Sequence, residues 1–191
     1  MCEIQVDLKK KYGDEMKCLE DVKRLPQSSC PMICFSNGYT SLFGLLISRA
    51  TKGFWAHAMW LINPTVFASQ WWWFTLIQVD DYCHHSLKFW YNPNWTQDEK
   101  DIIQKAIAAR LELGKWKTRY DVWGVIGEWT GWGWMNSEKY DFCSETMKFL
   151  ADIDPDYKKF LEGNPHPNPA EIDDYFKKDP KYQVWGRVQP G

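Results

Sequence analysis

Consecutive segments of strand length between residues 54 and 79 constrain the fold more than any other feature of this 191-residue sequence. They are residues 54–62, 66–70 and 73–79, which are rich in aromatic and apolar side chains. Asn63-Pro64 provides the first turn, and Asp80-Asp81 ends the last segment. Because short turns join neighbouring antiparallel strands, the sequence predicts an antiparallel meander here.

Further elements are indicated on both sides of this meander. The clearest is a helix that begins at a capping box, in which Glu99 follows Thr96 by three residues, and that ends at Gly114. Other helices are predicted at residues 14–25, 41–50, 120–127 and about 169–176, and strands at residues 31–35 and 182–188. Together these segments favour the α+β fold class.

The length and composition fit a single domain over residues 1–191. An apolar content of 45% is enough for a core, with residues 1–30 as an N-terminal helical extension and residues 152–181 as a charged, proline-rich segment. A net charge of −2 gives no basic surface for nucleic acid, and no apolar run is long enough to span a membrane. Since no signal-peptide pattern is present, we expect synthesis in a cytoplasm. Association with a virus particle, export by a signal-independent route and the oligomeric state stay open.

Cys143 is the candidate nucleophile among the six cysteines, which in a chain of this length are expected to be free thiols. Aromatic residues precede it, and Met147 and Leu150 follow at helical spacing, with Glu145 in the first turn. The pattern predicts that Cys143 begins a helix, where unpaired backbone N–H groups and the helix dipole favour a thiolate. A buried, unreactive cysteine at a helix start is the alternative.

His57 is the candidate base among the four histidines. His166 lies in a proline-rich loop, and His84 and His85 follow a strand end without a rigid element of their own. His57 lies within the aromatic strand of residues 54–62, where an imidazole is costly unless it has hydrogen-bond partners. A core histidine with satisfied partners is the alternative interpretation.

The order of these residues resembles that of the circularly permuted papain-like hydrolases of the NlpC type, in which the histidine precedes the cysteine. The matching features are the helix at residues 44–51, the strand around His57, the Tyr-Asp pair at Tyr120 and the motif Tyr-Asp-Phe-Cys-Ser-Glu around Cys143. They cover residues 31–151 and depart from the family at Ala56, where Ser is usual, and at Thr146, where Leu is common. The resemblance implies a permuted papain-like α+β fold, in which an antiparallel sheet packs against a nucleophile-bearing helix and carries helical insertions.

The resemblance also implies a third catalytic residue on the strand after the histidine, which in the family is commonly His or Glu. Here that strand offers only Ser69 or Gln70. A neutral amide can orient an imidazole, so Gln70 is the preferred candidate, and the catalytic set is Cys143, His57 and Gln70. The expected binding or supporting residues of the site are Trp72, Tyr120, Ser144 and Glu145.

The function that the resemblance implies is acyl transfer by a soluble cysteine hydrolase that needs no cofactor and no metal. His57 takes the proton of Cys143, and the thiolate attacks an amide carbonyl or, less favourably, an ester carbonyl. Substrates in the family include cell-wall peptides and lipid-linked acyl groups. The expected partner is therefore a peptide, a cell-wall fragment or an acylated lipid.

Other interpretations are compatible with the sequence. A zinc site could combine Cys30 and Cys34 with Cys83, His84 or His85, although this spacing is not a standard one. Thirteen tryptophans suggest a glycan-stacking surface, but alternation along a strand predicts that residues 71–73 cannot all line one platform. The chain could also be a structural or interaction protein, for example a virion component, that keeps the hydrolase scaffold without its chemistry.

Overall fold

The computed structural model describes residues 16–37, 54–118 and 143–189. The strands are β1 (Met16–Lys17), β2 (Met32–Asn37), β3 (His57–Asn63), β4 (Val66–Gln70), β5 (Phe74–Gln78), β6 (Ser86–Tyr91) and β7 (Gln183–Val188). The helices are α1 (Leu19–Lys23), α2 (Gln97–Glu112), α3 (Gly114–Lys117), α4 (Pro155–Gly163) and α5 (Pro169–Lys178). A 3₁₀ helix covers Cys143–Asp152, and short 3₁₀ turns lie at Gln27–Ser29 and Val79–Tyr82. The helices predicted at residues 41–50 and 120–127 lie outside the described residues.

The strands form one sheet in the order β1-β7-β6-β2-β3-β4-β5. Strands β2 to β7 run antiparallel to one another where they are neighbours, whereas the short β1 runs parallel to β7. The predicted meander is confirmed as β3, β4 and β5, with a turn at Pro64 and Thr65. The protein is therefore of the α+β class, with a mainly antiparallel sheet.

The sequence patterns do not reveal two of these elements. Strand β6 is buried along nearly its whole length, so it shows no alternation, and Lys88 interrupts its apolar run. Helix α4 lies within the charged segment 152–181, and its start signals are Asp154 as N-cap and Pro155 in the first turn. The helix predicted for residues 14–25 is also too long, because Met16–Lys17 pairs with β7 as a strand and only α1 is helical.

The sheet packs on both of its faces, and strand alternation decides which side chains each face receives. On the side that we call the helix face, Ala58 and Trp60 of β3 pack with apolar residues of α2, the 3₁₀ helix, α4 and α5. On the side that we call the opposite face, Met59 and Leu61 pack with residues of α1 and of the turn Val79–Tyr82. Successive residues of β3 therefore contribute to two separate cores.

Helix α2 begins as its capping box predicts. The Thr96 hydroxyl accepts a hydrogen bond from the Glu99 N–H at 3.3 Å, and the Glu99 carboxylate accepts one from the Thr96 N–H at 2.7 Å. Gly114, with a φ of 73°, follows the end of the helix and starts α3. Among the described residues, no helix combines the length and the apolar character needed to cross a bilayer.

Candidate functional site

His57 is the first residue of β3, and alternation puts its side chain on the opposite face, with Met59 and Leu61. Its Nε2 atom is 2.6 Å from Oγ of Ser69 on the neighbouring strand β4. Ser69 is paired with Met59 in the sheet, so its side chain belongs to the same face. A short hydrogen bond therefore joins the predicted base to a fully buried hydroxyl.

The Ser69 hydroxyl belongs to a longer series of polar contacts. The Tyr82 hydroxyl lies 3.5 Å from Ser69 Oγ and accepts a hydrogen bond from Trp71 Nε1 at 3.0 Å. The Trp71 ring lies beside the imidazole of His57, with 5.7 Å between the ring centroids. Tyr82 also contacts the ring of His85 edge-on, at a centroid distance of 4.9 Å. His57 is thus surrounded by polar and aromatic partners from β4 and from the segments that follow β4 and β5.

Burial decides the charge state of this cluster. Loss of hydration, with a smaller contribution from His85, lowers the pKa of His57 to about 3. Burial also raises the pKa of the Tyr82 hydroxyl and lowers the pKa of His85. The imidazole of His57 is therefore neutral at neutral pH, and a pKa this low makes it a weaker base than an ordinary histidine.

Gln70 lies on the helix face and does not contact His57. Its Nε2 atom donates to the main-chain oxygen of Thr118 at 2.5 Å, and the Thr118 hydroxyl accepts the N–H of Phe74 at 3.1 Å. Ser69 and Gln70 point to opposite faces because they are neighbours on a strand, so only one of them can reach the imidazole. Ser69 makes the contact expected of Gln70. Choosing between them requires the register of β3 against β4, which the sequence pattern does not specify.

Cys143 is the first residue of the 3₁₀ helix Cys143–Asp152. Its Sγ atom is 4.0 Å from the carbonyl oxygen of Ala56, the residue before His57, and its side chain is buried. Further along this helix, Trp60 Nε1 donates to the main-chain oxygen of Thr146 at 2.9 Å. The sulfur therefore lies near the end of β3 at which His57 begins the strand.

The 3₁₀ helix that begins at Cys143 and the His57 ring lie on different faces of β3. The 3₁₀ helix packs with Ala58 and Trp60, whereas the imidazole shares its face with Met59. Within the described residues, no hydrogen bond joins the side chains of Cys143 and His57.

A cavity of about 360 Å³ adjoins this cluster. Its walls are formed by Trp71, Trp72, Trp73, Thr75, Ile77, Asp81, Tyr82 and His85. All three tryptophans line this one cavity, so the expectation that alternation separates them was wrong. Trp71 and Trp72 lie in the bend between β4 and β5, where strand alternation does not apply. Trp71 and Tyr82 belong both to the wall and to the polar contacts that end at His57.

The other predicted residues contribute less to this picture. Tyr120 and the side chains of Ser144 and Glu145 lie outside what the structure describes, so their roles stay predictions. Of the residues considered for zinc, Cys30 and Cys34 are buried and Cys83 is exposed. Within the described ranges, no group of three or more His, Cys, Asp or Glu side chains converges in a way that could hold a metal ion.

Comparison of the sequence with models of protein families and with curated proteins gave no match. The resemblance to hydrolases of the NlpC type therefore rests on the sequence motifs alone.

Proposed function

We propose that the protein is a cysteine hydrolase of the permuted papain-like type, in which Cys143 attacks an amide carbonyl of a peptide, a cell-wall peptide or an acylated molecule. The observation that supports this most directly is the 4.0 Å distance between Cys143 Sγ and the carbonyl oxygen of Ala56. This contact spans 87 positions of the chain and brings the start of the 3₁₀ helix to the residue that precedes His57.

The two ring nitrogens of His57 suit different tasks. Ser69 holds Nε2, which is the orienting role of a third catalytic residue. Nδ1 is attached to the ring carbon nearest the main chain, and the Cys143 sulfur lies beside the main chain of the preceding residue. In the proposal, Nδ1 exchanges the proton with Cys143, and Ser69 replaces Gln70 as the third residue.

In the proposed reaction, the thiol proton of Cys143 moves to Nδ1 of His57, and the sulfur forms a bond to the carbonyl carbon. The backbone N–H of Cys143, at the start of a helix, donates to the oxyanion. The C–N bond then breaks, the amine leaves with the proton of the imidazolium, and the acyl group remains on sulfur as a thioester. Water gives a proton to His57 and adds to the thioester, which releases a carboxylic acid and restores the thiol.

The cavity whose wall includes Trp71, the ring neighbour of His57, is the proposed binding place for the substrate. Three tryptophan rings give it apolar walls, and Asp81 and His85 add polar groups. Trp72 is 60% exposed and Trp71 is 39% exposed, so Trp72 is the more accessible of the two to a substrate. Such walls suit an acyl chain or an apolar portion of a peptide or cell-wall fragment next to the scissile bond.

The test is acetyl transfer from p-nitrophenyl acetate, an activated ester that is small enough for a narrow site. We expect a burst of nitrophenol and one acetyl group on Cys143, located by mass spectrometry of peptides. Cys143→Ala should lose the burst, and His57→Gln should slow it by roughly 10²- to 10⁴-fold, the usual contribution of a general base. Cys30→Ala is the matched control, since Cys30 and Cys143 are both 2% exposed.

Two outcomes would contradict the hydrolase proposal. One is a wild type in which the exposed thiols Cys18 or Cys83 carry the acetyl group and Cys143 does not. The other is a Cys30→Ala variant that loses the burst as completely as Cys143→Ala does, because the effect would then follow from damage to the core.

A non-catalytic structural or interaction protein is the second candidate function. It is favoured by the burial of Cys143 and by the assignment of the 3₁₀ helix and the His57 ring to different faces of β3. In that case both residues serve packing, and neither variant changes a reaction. A wild type that releases nitrophenol no faster than Cys143→Ala supports this role.

A further inference from the structure

The hydrogen bonds that lead to His57 have a direction, because one end of the series is a pure donor. The indole N–H of Trp71 can only donate, so the Tyr82 oxygen is its acceptor at 3.0 Å. The hydroxyl proton of Tyr82 then needs an acceptor of its own, since this side chain is only 2% exposed. Among the described residues, the acceptor within reach is Ser69 Oγ, at 3.5 Å.

The same accounting continues to the imidazole. If Ser69 Oγ accepts from Tyr82, its own proton is available for His57 Nε2, which is 2.6 Å away. Each donor of this series then has an acceptor, in the order Trp71, Tyr82, Ser69 and His57, and the Nδ1–H group belongs to a residue that is only half-buried, so water can accept its proton. We call this series the relay.

We propose that the relay holds neutral His57 in the tautomer that carries its proton on Nδ1, with Ser69 and Tyr82 as positioning residues. The other tautomer has Nε2–H donating to Ser69 and the Ser69 hydroxyl donating to the Tyr82 oxygen. That arrangement leaves the Tyr82 hydroxyl proton without an acceptor in a buried place. An unmade buried hydrogen bond is unfavourable enough that the Nδ1–H form should outnumber the other by about tenfold or more.

This tautomer has a consequence for the cysteine, which rests on the proposed function. An Nδ1–H group can donate to a Cys143 thiolate, but it cannot take the proton of the thiol. Base catalysis then requires the relay to reverse, so the resting protein is less reactive at Cys143 than a protein with Nε2–H would be. The expected difference is again about tenfold, because the same equilibrium sets it.

The tautomer can be measured directly, without any activity assay. The experiment records long-range ¹H–¹⁵N correlations of the histidine rings in the ¹⁵N-labelled full chain at neutral pH, with His57 identified by its loss in His57→Gln. We expect Nε2 to show the shift of an unprotonated nitrogen and Nδ1 that of a protonated one. A protonated Nε2 in the wild type would overturn the proposal.

Ser69→Asp provides the complementary variant. A carboxylate only accepts, so Nε2 must carry the proton, and we expect the two nitrogen shifts to exchange and Cys143 acetylation to rise about tenfold. Leu76→Asp is the matched control, because it adds the same charge on the neighbouring strand β5, at an exposed position outside the walls of the cavity. Unexchanged shifts in folded Ser69→Asp, or the same exchange in Leu76→Asp, would refute the role of Ser69.

The two proposals fail in different ways. If the nitrogen shifts exchange and acetylation does not change, the relay stands and the base role of His57 falls. If Ser69→Asp does not fold, the wild-type spectrum alone still decides the tautomer.

Discussion

Replacing Asp173 tests whether one buried carboxylate holds helix α5 against the sheet. Its Oδ1 atom accepts hydrogen bonds from Lys88 Nζ at 3.0 Å and from Trp90 Nε1 at 2.7 Å. Its Oδ2 atom accepts them from Lys177 Nζ at 2.9 Å and from Trp55 Nε1 at 3.0 Å. The carboxylate thus connects α5 to β6 and to the segment that leads into β3.

We expect Asp173→Asn to lower the free energy of unfolding by about 3–5 kcal/mol, the usual effect of removing one partner of a buried ion pair. The pair qualifies because the side chains of Asp173 and Lys88 are each 2% exposed. In Asp173→Asn an NH₂ group would replace one carboxylate oxygen, so it would face N–H donors that had donated to that oxygen and would leave them without an acceptor. For a chain of this length, the change corresponds to a fall of roughly 6–20 °C in melting temperature.

Urea unfolding followed by tryptophan fluorescence measures this loss, because Trp55 and Trp90 both contact the carboxylate. Asp174→Asn is the matched control, since it removes the same charge from the next residue of α5. Asp174 is 61% exposed, and its ion pair with Lys177 should contribute no more than about 1 kcal/mol. A loss under about 1 kcal/mol for Asp173→Asn, or equal losses for the two variants, would refute the reasoning.

The same carboxylate should make stability depend on acidity. Burial by itself raises the pKa of Asp173, but the charge of Lys88 and the hydrogen bonds from Lys177, Lys88 and Trp90 outweigh it, so the pKa is lowered. As the pH falls, Asp173 is therefore protonated in the unfolded chain at a higher pH than in the folded protein. The contribution is complete above about pH 4 and is lost as the pH falls through the folded-state pKa. Asp173→Asn should make the decline of stability below pH 4 shallower.

Three further measurements probe other parts of the structure. The ring signals of His57 should not titrate between pH 8 and about pH 4, since its pKa is lowered to about 3. The free energy of unfolding should fall as the pH drops from about 6.5 toward that value. A titration midpoint of the ring near 6.5 would contradict the loss of hydration that lowers this pKa. Thr96→Ala should lower the free energy of unfolding in urea by about 1 kcal/mol, because the Glu99 N–H loses its acceptor. An unchanged urea midpoint would argue against a stabilising role of Thr96 as the N-cap of α2. Gln70→Ala should lower the free energy of unfolding by roughly 1–3 kcal/mol, because it removes a buried hydrogen bond to Thr118. It should leave the NMR signals of the His57 ring unchanged, and a changed His57 tautomer would show that Gln70 acts on the imidazole.

Local patterns were sufficient for elements whose signals lie within a few residues of each other. Strand β4 has the predicted bounds, Val66–Gln70, and α2 begins directly after its capping box, because alternation and capping depend on sequence neighbours. The same patterns failed for β6, which lies between β7 and β2 and is buried on both faces. Its Lys88 is compatible with burial because Asp173, far along the chain, supplies the opposite charge.

For the candidate site, the sequence by itself determined which side chains are present: a histidine in an aromatic strand, a cysteine at the start of a helix, and a serine next to a glutamine. The tertiary structure decided which of them meet. The register that pairs Ser69 with Met59 gives His57 a serine partner, and a shift of one residue would have turned Gln70 to that face. Packing of the 3₁₀ helix on the helix face likewise decided where the Cys143 sulfur lies relative to the imidazole. Register and face depend on contacts between residues that are distant in sequence, and a local pattern carries no information about them.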